Sequence, residues 1–247
     1  MKQDIINIWK NVQELDLRPI RELAEQDVRL ALVGASGAGK RTLANQLCSD
    51  PERPDQRTLS PILLTDLELA EQAISADVIV LVVDVNISNV EREQALLDNW
   101  LAAGKRTIIF YNKIDLLLEE DAVLPWLETG RAPKIYGSAL DRGFLQRELA
   151  PALMEALPDL HLALGRRFPL LREPAARNLI RQTCLANAAY SLGTGLAEIV
   201  PVLDIPLNIA DVIVLTKAQA LLVYKLGLTL GLSKDWPYYV GAFGSVI

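Results

Sequence analysis

One stretch decides the fold, because in it an apolar run leads through a glycine-rich turn toward a helix. It reads Val28-Arg29-Leu30-Ala31-Leu32-Val33-Gly34-Ala35-Ser36-Gly37-Ala38-Gly39-Lys40-Arg41-Thr42. The short run 28–33 is typical of a strand buried in a sheet, and Gly34 begins a turn. A helix is expected to begin after Gly39. A strand, a turn and a helix in this order predict an α/β fold.

The turn itself predicts a site for phosphate groups. Its glycines and lysine match the spacing G-x-x-x-x-G-K of phosphate-binding loops. Small residues let successive backbone N–H groups face an anion, and the helix that follows presents its positive end. Lys40 would reach the terminal phosphates. The predicted phosphate-binding residues are Gly34, Ser36, Gly37, Ala38, Gly39, Lys40, Arg41 and Thr42; an ordinary glycine-rich turn is the alternative.

Four further apolar runs predict the rest of a sheet, at 61–65, 77–84, 107–111 and 134–136. The spacing of Ser88 and Glu91 is that of a capping box, which predicts a helix beginning there. A closing helix is expected at 144–156. Strands separated by helices need crossover connections, so we expect a mostly parallel, doubly wound sheet with helices on both faces.

Composition excludes several classes of protein. The chain has 247 residues, of which 51% are hydrophobic and 23% charged, so it is long enough for a sizeable core and is not low-complexity. Its two cysteines cannot form a disulfide framework, and no targeting pattern is visible, which predicts a cytoplasmic location. The net charge of −6 does not indicate a surface that binds nucleic acid. The single histidine, His161, has no triad or metal cluster to join.

The charge is unevenly distributed and predicts a division of the chain. Residues 1–161 carry a formal charge of −9, whereas residues 162–247 carry +3 and are more apolar. We therefore expect a helix at 1–25, broken or restarted at Pro19 and packed on the domain that follows. A nucleotide-binding domain at 26–160 and a helical domain at 161–247 would complete the chain.

A second motif follows the strand predicted at 107–111, and it reads Asn112-Lys113-Ile114-Asp115. Here the sequence resembles the P-loop GTPases of the translation-factor-related, Era-like group, over about residues 28–156. The resemblance implies that Asp115 accepts hydrogen bonds from the guanine base, that Asn112 braces the phosphate-binding loop, and that Lys113 lies over the base. A helix N-terminus capped by Asp115 is the alternative.

A third match is weaker. Ser138, Ala139 and Leu140 are similar to the segment of these GTPases whose backbone N–H meets the guanine O6. A carboxylate that pairs with guanine discriminates strongly, because adenine would leave it buried without a partner. The matches together imply a guanine-nucleotide-binding protein that takes GTP or GDP.

The chain departs from the family pattern on the side of hydrolysis. Arg41 stands where the family has a Mg²⁺-binding Ser or Thr, and Leu69 replaces the glycine of D-x-x-G after Asp66. Thr42 and Asp66 are the candidate metal ligands. Thr42 could substitute, Arg41 could replace the charge of the metal, or nucleotide binding could have decayed. Thr58 is the only candidate for a switch threonine; an ordinary loop residue is the alternative.

These departures predict binding without brisk hydrolysis, and the catalytic residues stay unidentified. Whether the chain is a GTPase that converts GTP to GDP and phosphate is open. A scaffold that binds no nucleotide and acts through its C-terminal helices is the competing hypothesis.

The C-terminal part predicts two apolar helices, at 174–197 and 206–232. Charges at Asp211, Lys217 and Lys225 favour a packed hairpin over a membrane span. The pattern at 205–219 resembles a C-terminal domain of unknown function in bacterial GTPase-like proteins. That resemblance implies association with the inner face of the cell membrane or with a membrane protein through residues 161–247, and a dimer is left open.

The last residues carry a further expectation. The uncharged, aromatic run 236–247 suggests that the chain stops before a membrane segment. Five arginines nearby form either a solvated helix face or a surface for anionic lipid. They are Arg166, Arg167, Arg172, Arg177 and Arg181.

Overall fold

The computed structural model describes most of the chain, including every predicted strand. The described residues are 14–50, 52–53, 57–87, 89–117, 127–128, 130, 132–195 and 209–244.

Five strands form one sheet in the spatial order β2-β1-β3-β4-β5, and every neighbouring pair runs parallel. The prediction of a parallel α/β sheet is therefore confirmed. Because β1 lies between β2 and β3, the order reverses at β1, and ligands of such sheets bind at the carboxyl edge near this point. The strands are β1 (Leu30–Val33), β2 (Ile62–Thr65), β3 (Val78–Asp84), β4 (Thr107–Asn112) and β5 (Lys134–Tyr136).

Helices flank the sheet and continue into a helical C-terminal region. The π-helical turn Leu145–Leu149 divides α4 into two parts. The helices are α1 (Arg18–Glu25), α2 (Lys40–Cys48), α3 (Glu91–Ala102), α4 (Arg142–Phe144 and Ala150–Ala156), α5 (His161–Arg167), α6 (Arg172–Gly195), α7 (Ile209–Thr229) and α8 (Trp236–Gly244).

Both faces of the sheet are buried, as predicted. Successive side chains of a strand point to opposite faces. Leu30 and Leu32 of β1 therefore join the core under α2 and α4, whereas Ala31 and Val33 join the core under α3 and the 3₁₀ helix Leu67–Ser75. Burial on both sides explains why the strands read as continuous apolar runs.

The predicted start of α3 is wrong by about two residues. The helix begins at Glu91, and the Asn89 Oδ1 accepts a hydrogen bond from the Glu91 N–H at 3.0 Å. Ser88, the expected cap, lies outside the described residues. The Asn89 side chain thus bonds to the backbone two residues further on, a contact that the capping-box spacing did not indicate.

The core under α2 and α4 continues past the predicted boundary at residue 160. Leu164, Phe168 and Leu171 are buried in the same cluster as β1 and β3. The start of the helical region is therefore packed directly on the α/β unit.

A third core lies among the C-terminal helices and takes in α1. Leu17 and Ile20 pack with Tyr224 of α7 and with Trp236 of α8. The expectation that the N-terminal helix packs on the domain that follows is wrong for its described part, because its apolar face meets α5 and α7. Pro19 lies in the first turn of α1, where its missing N–H costs nothing; residues 1–13 lie outside the described residues.

Two predicted apolar helices are α6 and α7, and they pack against each other. Among the residues that the structure describes, no helix is long and apolar enough to cross a bilayer. Part of the aromatic run contributes to the protein core, since Trp236 meets Tyr224 edge-to-face with centroids 5.4 Å apart, whereas Tyr238 is exposed. The expectation of a membrane segment near this run stays a prediction. Residues 245–247 lie outside the described part.

Two of the five arginines cap helices within the protein. Arg166 Nη1 donates to the carbonyl oxygen of Leu228 at the end of α7, at 3.0 Å. Arg167 Nε donates to the carbonyl oxygen of Gln26, just after α1, at 3.0 Å. The interpretation of these two as a solvated or lipid-facing row is therefore wrong; they join α1 and α7 to α5.

Candidate functional site

The glycine-rich loop leaves β1 at the carboxyl edge, and its neighbours exclude side chains at two positions. A Cβ atom on Gly34 would lie 2.2 Å from the carbonyl oxygen of Val82 in β3. A Cβ atom on Gly39, whose φ is +103°, would lie 2.1 Å from Nδ2 of Asn112. Glycine at these positions therefore lets the loop lie directly on β3 and β4.

The Lys40 side chain bonds back to the start of the glycine-rich loop and to Asp66. Its Nζ donates to the carbonyl oxygens of Gly34 and Ala35, at 2.7 and 2.8 Å, and to Asp66 Oδ1 at 2.6 Å. The side chain is 11% exposed, and all three of its N–H donors have a partner. Bound phosphate would have to compete with Asp66 for this ammonium group.

A cavity of about 480 Å³ opens beside Lys40. Of the residues predicted to bind phosphate, only Gly34 and Ala38 do not line it, because both are buried beneath the loop. Leu64 of β2 and Asp66 complete the wall. The lining residues are Ser36, Gly37, Gly39, Lys40, Arg41, Thr42, Leu64 and Asp66.

Asn112, at the end of β4, joins two loops. Its Nδ2 donates to the carbonyl oxygen of Ala38 at 2.7 Å, and its Oδ1 accepts from the Ala139 N–H at 2.7 Å. The side chain is 3% exposed, so both bonds lie out of water. The predicted bracing of the glycine-rich loop by Asn112 is confirmed.

Asp115 lies in the short 3₁₀ turn that follows β4 and is exposed. Its carboxylate makes no hydrogen bond or ion pair with any other described residue. The Ile114 N–H donates to the carbonyl oxygen of Gly137 at 3.3 Å, which brings the turn beside the loop that follows β5. The carboxylate is thus free to accept hydrogen bonds from a ligand at this edge.

The loop after β5 differs from what the resemblance implied. The Ala139 N–H donates to Asn112 Oδ1, and the Leu140 N–H donates to Ser138 Oγ at 3.2 Å. In this conformation neither N–H is free to meet the O6 of a guanine. Asp115, by contrast, keeps a carboxylate without a partner among the described residues at this edge.

Lys113 is held by an ion pair that the sequence analysis did not identify. Its Nζ donates to Asp84 Oδ2 at 2.5 Å, and its backbone has a φ of +70°. Burial raises the pKa of the Asp84 carboxyl, but hydrogen bonds from Lys113 and Asn86 outweigh it and hold that pKa below its usual range. The aspartate at the end of the run 77–84 was the available signal, since residues just after parallel strands line such sites.

The candidate metal ligands do not fit a resident Mg²⁺ ion. Mg²⁺ prefers several oxygen ligands in octahedral geometry. Asp66 is bonded to Lys40, and the adjacent Arg41 brings a further positive charge. Among the described residues no group of three or more His, Cys, Asp or Glu could hold a metal ion. Thr42 lines the cavity, but one hydroxyl beside two cations does not make a magnesium site.

The N–H at Leu69 is also engaged. In the family pattern a glycine N–H at this position senses the terminal phosphate, but here the Leu69 N–H donates to the carbonyl oxygen of Asp66 at 3.1 Å. The Leu69 side chain is exposed. This turn therefore lacks both the glycine and a free N–H.

Thr58 is not directed to the glycine-rich loop. Its hydroxyl donates to the carbonyl oxygen of Arg167 at 2.8 Å, and the Ser60 hydroxyl is bonded to the same oxygen. The hypothesis of a switch threonine is wrong for this conformation, and the alternative of a structural loop residue applies. The segment leading into β2 is thus tied to the end of α5.

Two arginines hold the far end of α2. Arg172 Nη1 pairs with Asp50 Oδ2 at 2.7 Å, and Arg142 Nε donates to Gln46 Oε1 at 3.0 Å. Because α2 begins at Lys40, one helix connects the loop to the helical region. No sequence pattern indicates these pairs, since the partners are far apart in the chain.

A buried carboxylate lies on the other side of the loop. Glu93 of α3 is 3% exposed, and burial raises the pKa of its carboxyl. It lines an open cavity of about 880 Å³ together with Ala35 of the loop and Leu67. The charged form of Glu93 is therefore disfavoured in the folded protein.

Comparisons with known proteins identify no family for the chain. No family model matches it, and no curated protein matches it. Eighteen chains of solved structures match it. One is a crystal structure of a mutation variant of a protein called SsGBP, with 18% sequence identity, a TM-score of 0.35, and coverage of 64% of this chain and 64% of that chain. The chain thus spans just under two thirds of that structure, and a likeness at this level bears on neither site nor activity.

Proposed function

We propose that the chain is a guanine-nucleotide-binding protein on a P-loop fold of the GTPase type, with slow or degenerate hydrolysis. GTP or GDP would bind at the carboxyl edge of the sheet. Its phosphates would lie in the glycine-rich loop, and its base would lie beside Asp115.

One observation carries the proposal. Asn112 connects the glycine-rich loop to the loop after β5 through two buried hydrogen bonds of 2.7 Å each. A phosphate-binding loop and a base-reading carboxylate must be held in a fixed relation to bind the two ends of one nucleotide. Asn112 is bonded to the glycine-rich loop and lies three residues before Asp115, so it would supply that relation.

Asp115 gives the proposal its base preference. A carboxylate accepts but does not donate, so it pairs with the N1–H and the 2-amino group of guanine, and adenine offers neither. Hydrogen bonds to a charged group contribute about 1.5–3 kcal/mol each. This is enough to select GTP over ATP even without a backbone donor to O6.

Arg41 and Lys40 would supply the positive charge that phosphates need. The residues present do not fit a resident Mg²⁺, so no step is assigned to a metal. Leu69 brings no free N–H to a terminal phosphate. These features favour binding over rapid hydrolysis.

The helical region would respond to the nucleotide through α2 and the segment before β2. Asp50 and Gln46 at the end of α2, and Thr58 in that segment, are bonded to residues at or beyond α4. A ligand that shifts α2 would therefore change how α6 and α7 pack. We propose that these two helices, on which Leu185 and Val223 are exposed, meet a membrane surface or a membrane protein at the inner face of the cell membrane.

The alternative is a scaffold that binds no nucleotide. Two observations favour it: Lys40 is already neutralised by Asp66, and Arg41 stands in the metal position. In that case the glycines serve only the packing of the loop on β3 and β4.

Calorimetric titration of the chain with GDP, GTP and ATP, with and without Mg²⁺, decides between them. Micromolar, guanine-selective binding supports the proposal, and no binding to any nucleotide supports the scaffold. Asp115→Asn should weaken GTP binding by about tenfold or more and shift the preference toward xanthine nucleotides. Asp159→Asn, at an exposed site outside this edge, is the matched control and should leave both affinities unchanged. Unaltered GTP-over-XTP selectivity in Asp115→Asn would contradict the assignment of the base site.

A further inference from the structure

A third cavity, of about 620 Å³, lies between α4 and the first turns of α6. It shares no lining residue with the cavity beside the glycine-rich loop. Its volume falls in the range of about 300–1,000 Å³ typical of small-molecule sites. The wall formed by α4 includes the π-helical turn, a distortion that is frequent at functional sites.

Three arginines line this cavity from two different elements. Arg147 comes from α4, and Arg177 and Arg181 lie one turn apart on the same face of α6. Arg147 and Arg181 make no ion pair or hydrogen bond with other described residues. Guanidinium groups donate in a planar fork that matches the oxygens of a phosphate group.

Two carboxylates also line the cavity, and they do not neutralise it. Glu173 pairs with Arg177 at 2.6 Å, but the two side chains are 61% and 80% exposed. An exposed pair of this kind contributes little and can be exchanged for a stronger anion. Glu155 makes no ion pair with a described residue. The cavity therefore keeps an excess of positive charge in a chain whose net charge is −6.

Apolar side chains form part of the cavity lining. Met154 and three prolines line it, and His161 is buried beneath. His161 Nδ1 lies 2.6 Å from Asn178 Nδ2, and its Nε2 lies 2.8 Å from the carbonyl oxygen of Met154. Because an amide nitrogen can only donate, Nδ1 accepts and Nε2 donates. Both ring nitrogens are occupied, so His161 positions Asn178 and is not itself available to a ligand.

We propose that this cavity binds a phosphate monoester. The anionic group would lie on Arg147 and Arg181, and an organic body attached to it would cover Met154 and the prolines. A soluble phosphorylated molecule and the headgroup of an anionic lipid share this chemistry. The bound ligand would connect α4 of the α/β unit to α6 of the helical region. The proposal is independent of nucleotide binding at the glycine-rich loop.

Phenyl phosphate is the probe, since it combines a phosphate with an apolar ring, and calorimetry measures its binding to the full chain. Arg147→Gln combined with Arg181→Gln should weaken binding by about tenfold or more. Arg106→Gln, which changes an exposed arginine directly before β4, is the matched control and should change the affinity by less than twofold. Lys40→Ala should leave the part of the binding that depends on these two arginines unchanged, because Lys40 belongs to the cavity beside the glycine-rich loop. Arg147 and Arg181 are both exposed, so the double variant should keep the wild-type Tm.

Two results would overturn the proposal: no saturable binding to the wild type, or binding that survives the double substitution and is lost in Lys40→Ala. The source is decided by cosedimentation with phosphatidylcholine vesicles that contain phosphatidic acid. Sedimentation that depends on the same arginines supports a lipid headgroup, and its absence alongside phenyl phosphate binding supports a soluble monoester.

Discussion

Removal of the Asn112 side chain tests the arrangement on which the proposed site depends. Asn112→Ala would leave the Ala38 carbonyl and the Ala139 N–H without partners in a buried place. Each unpaired buried group costs about 1–3 kcal/mol, so the expected loss is about 2–6 kcal/mol of unfolding free energy. A domain has only about 5–15 kcal/mol in total. For a chain of this size, where each kcal/mol shifts Tm by about 2–4 °C, Tm should fall by at least about 4 °C.

Urea unfolding followed by circular dichroism measures this loss, and the slope of the transition checks that the folded state is unchanged. Asn99→Ala is the matched control, since Asn99 lies exposed on α3 and should change stability by less than about 0.5 kcal/mol. Nucleotide affinity should fall in Asn112→Ala at a temperature where the variant is still folded. If Asn112→Ala is no less stable than Asn99→Ala, the reasoning about the buried bridge is wrong.

Two further substitutions test the charges around the loop. Burial raises the pKa of Glu93, so its cost to stability appears as the pH rises through the ordinary range of a glutamate and is absent below it. Glu93→Gln should therefore raise Tm at pH 7 but not at pH 3, while Glu91→Gln on the same helix should not; an equal effect of both in thermal scans would contradict this. Arg41→Ser should make nucleotide affinity depend more on Mg²⁺. If EDTA lowers the nucleotide affinity of the wild type and of the variant equally in a binding titration, Arg41 does not replace a metal.

Local pattern accounts for the part of the site that was predicted. The glycine spacing and the residue after β4 could be read from the sequence because each lies directly after an apolar run. Parallel strands bring their carboxyl ends to one edge, so Gly39 and Asn112 had to meet there. The loop after β5 was also placed correctly, but its N–H groups were not. The Ala139 N–H donates to Asn112 Oδ1, and no local sequence pattern indicates which of two nearby acceptors an N–H binds.

The chain's own sequence determined its α/β class, the order of its strands along the chain and the position of the glycine-rich loop. Each of these depends on the spacing of apolar residues along the chain and on the backbone preferences of neighbouring residues. Only the tertiary structure decided that α1 packs with the C-terminal helices, that Lys40 is held by Asp66, and that Thr58 meets the Arg167 carbonyl across 109 positions. Such contacts depend on the shape and charge of side chains that meet only when the chain folds. Residues so far apart in the chain form no periodic sequence pattern that would predict their contact.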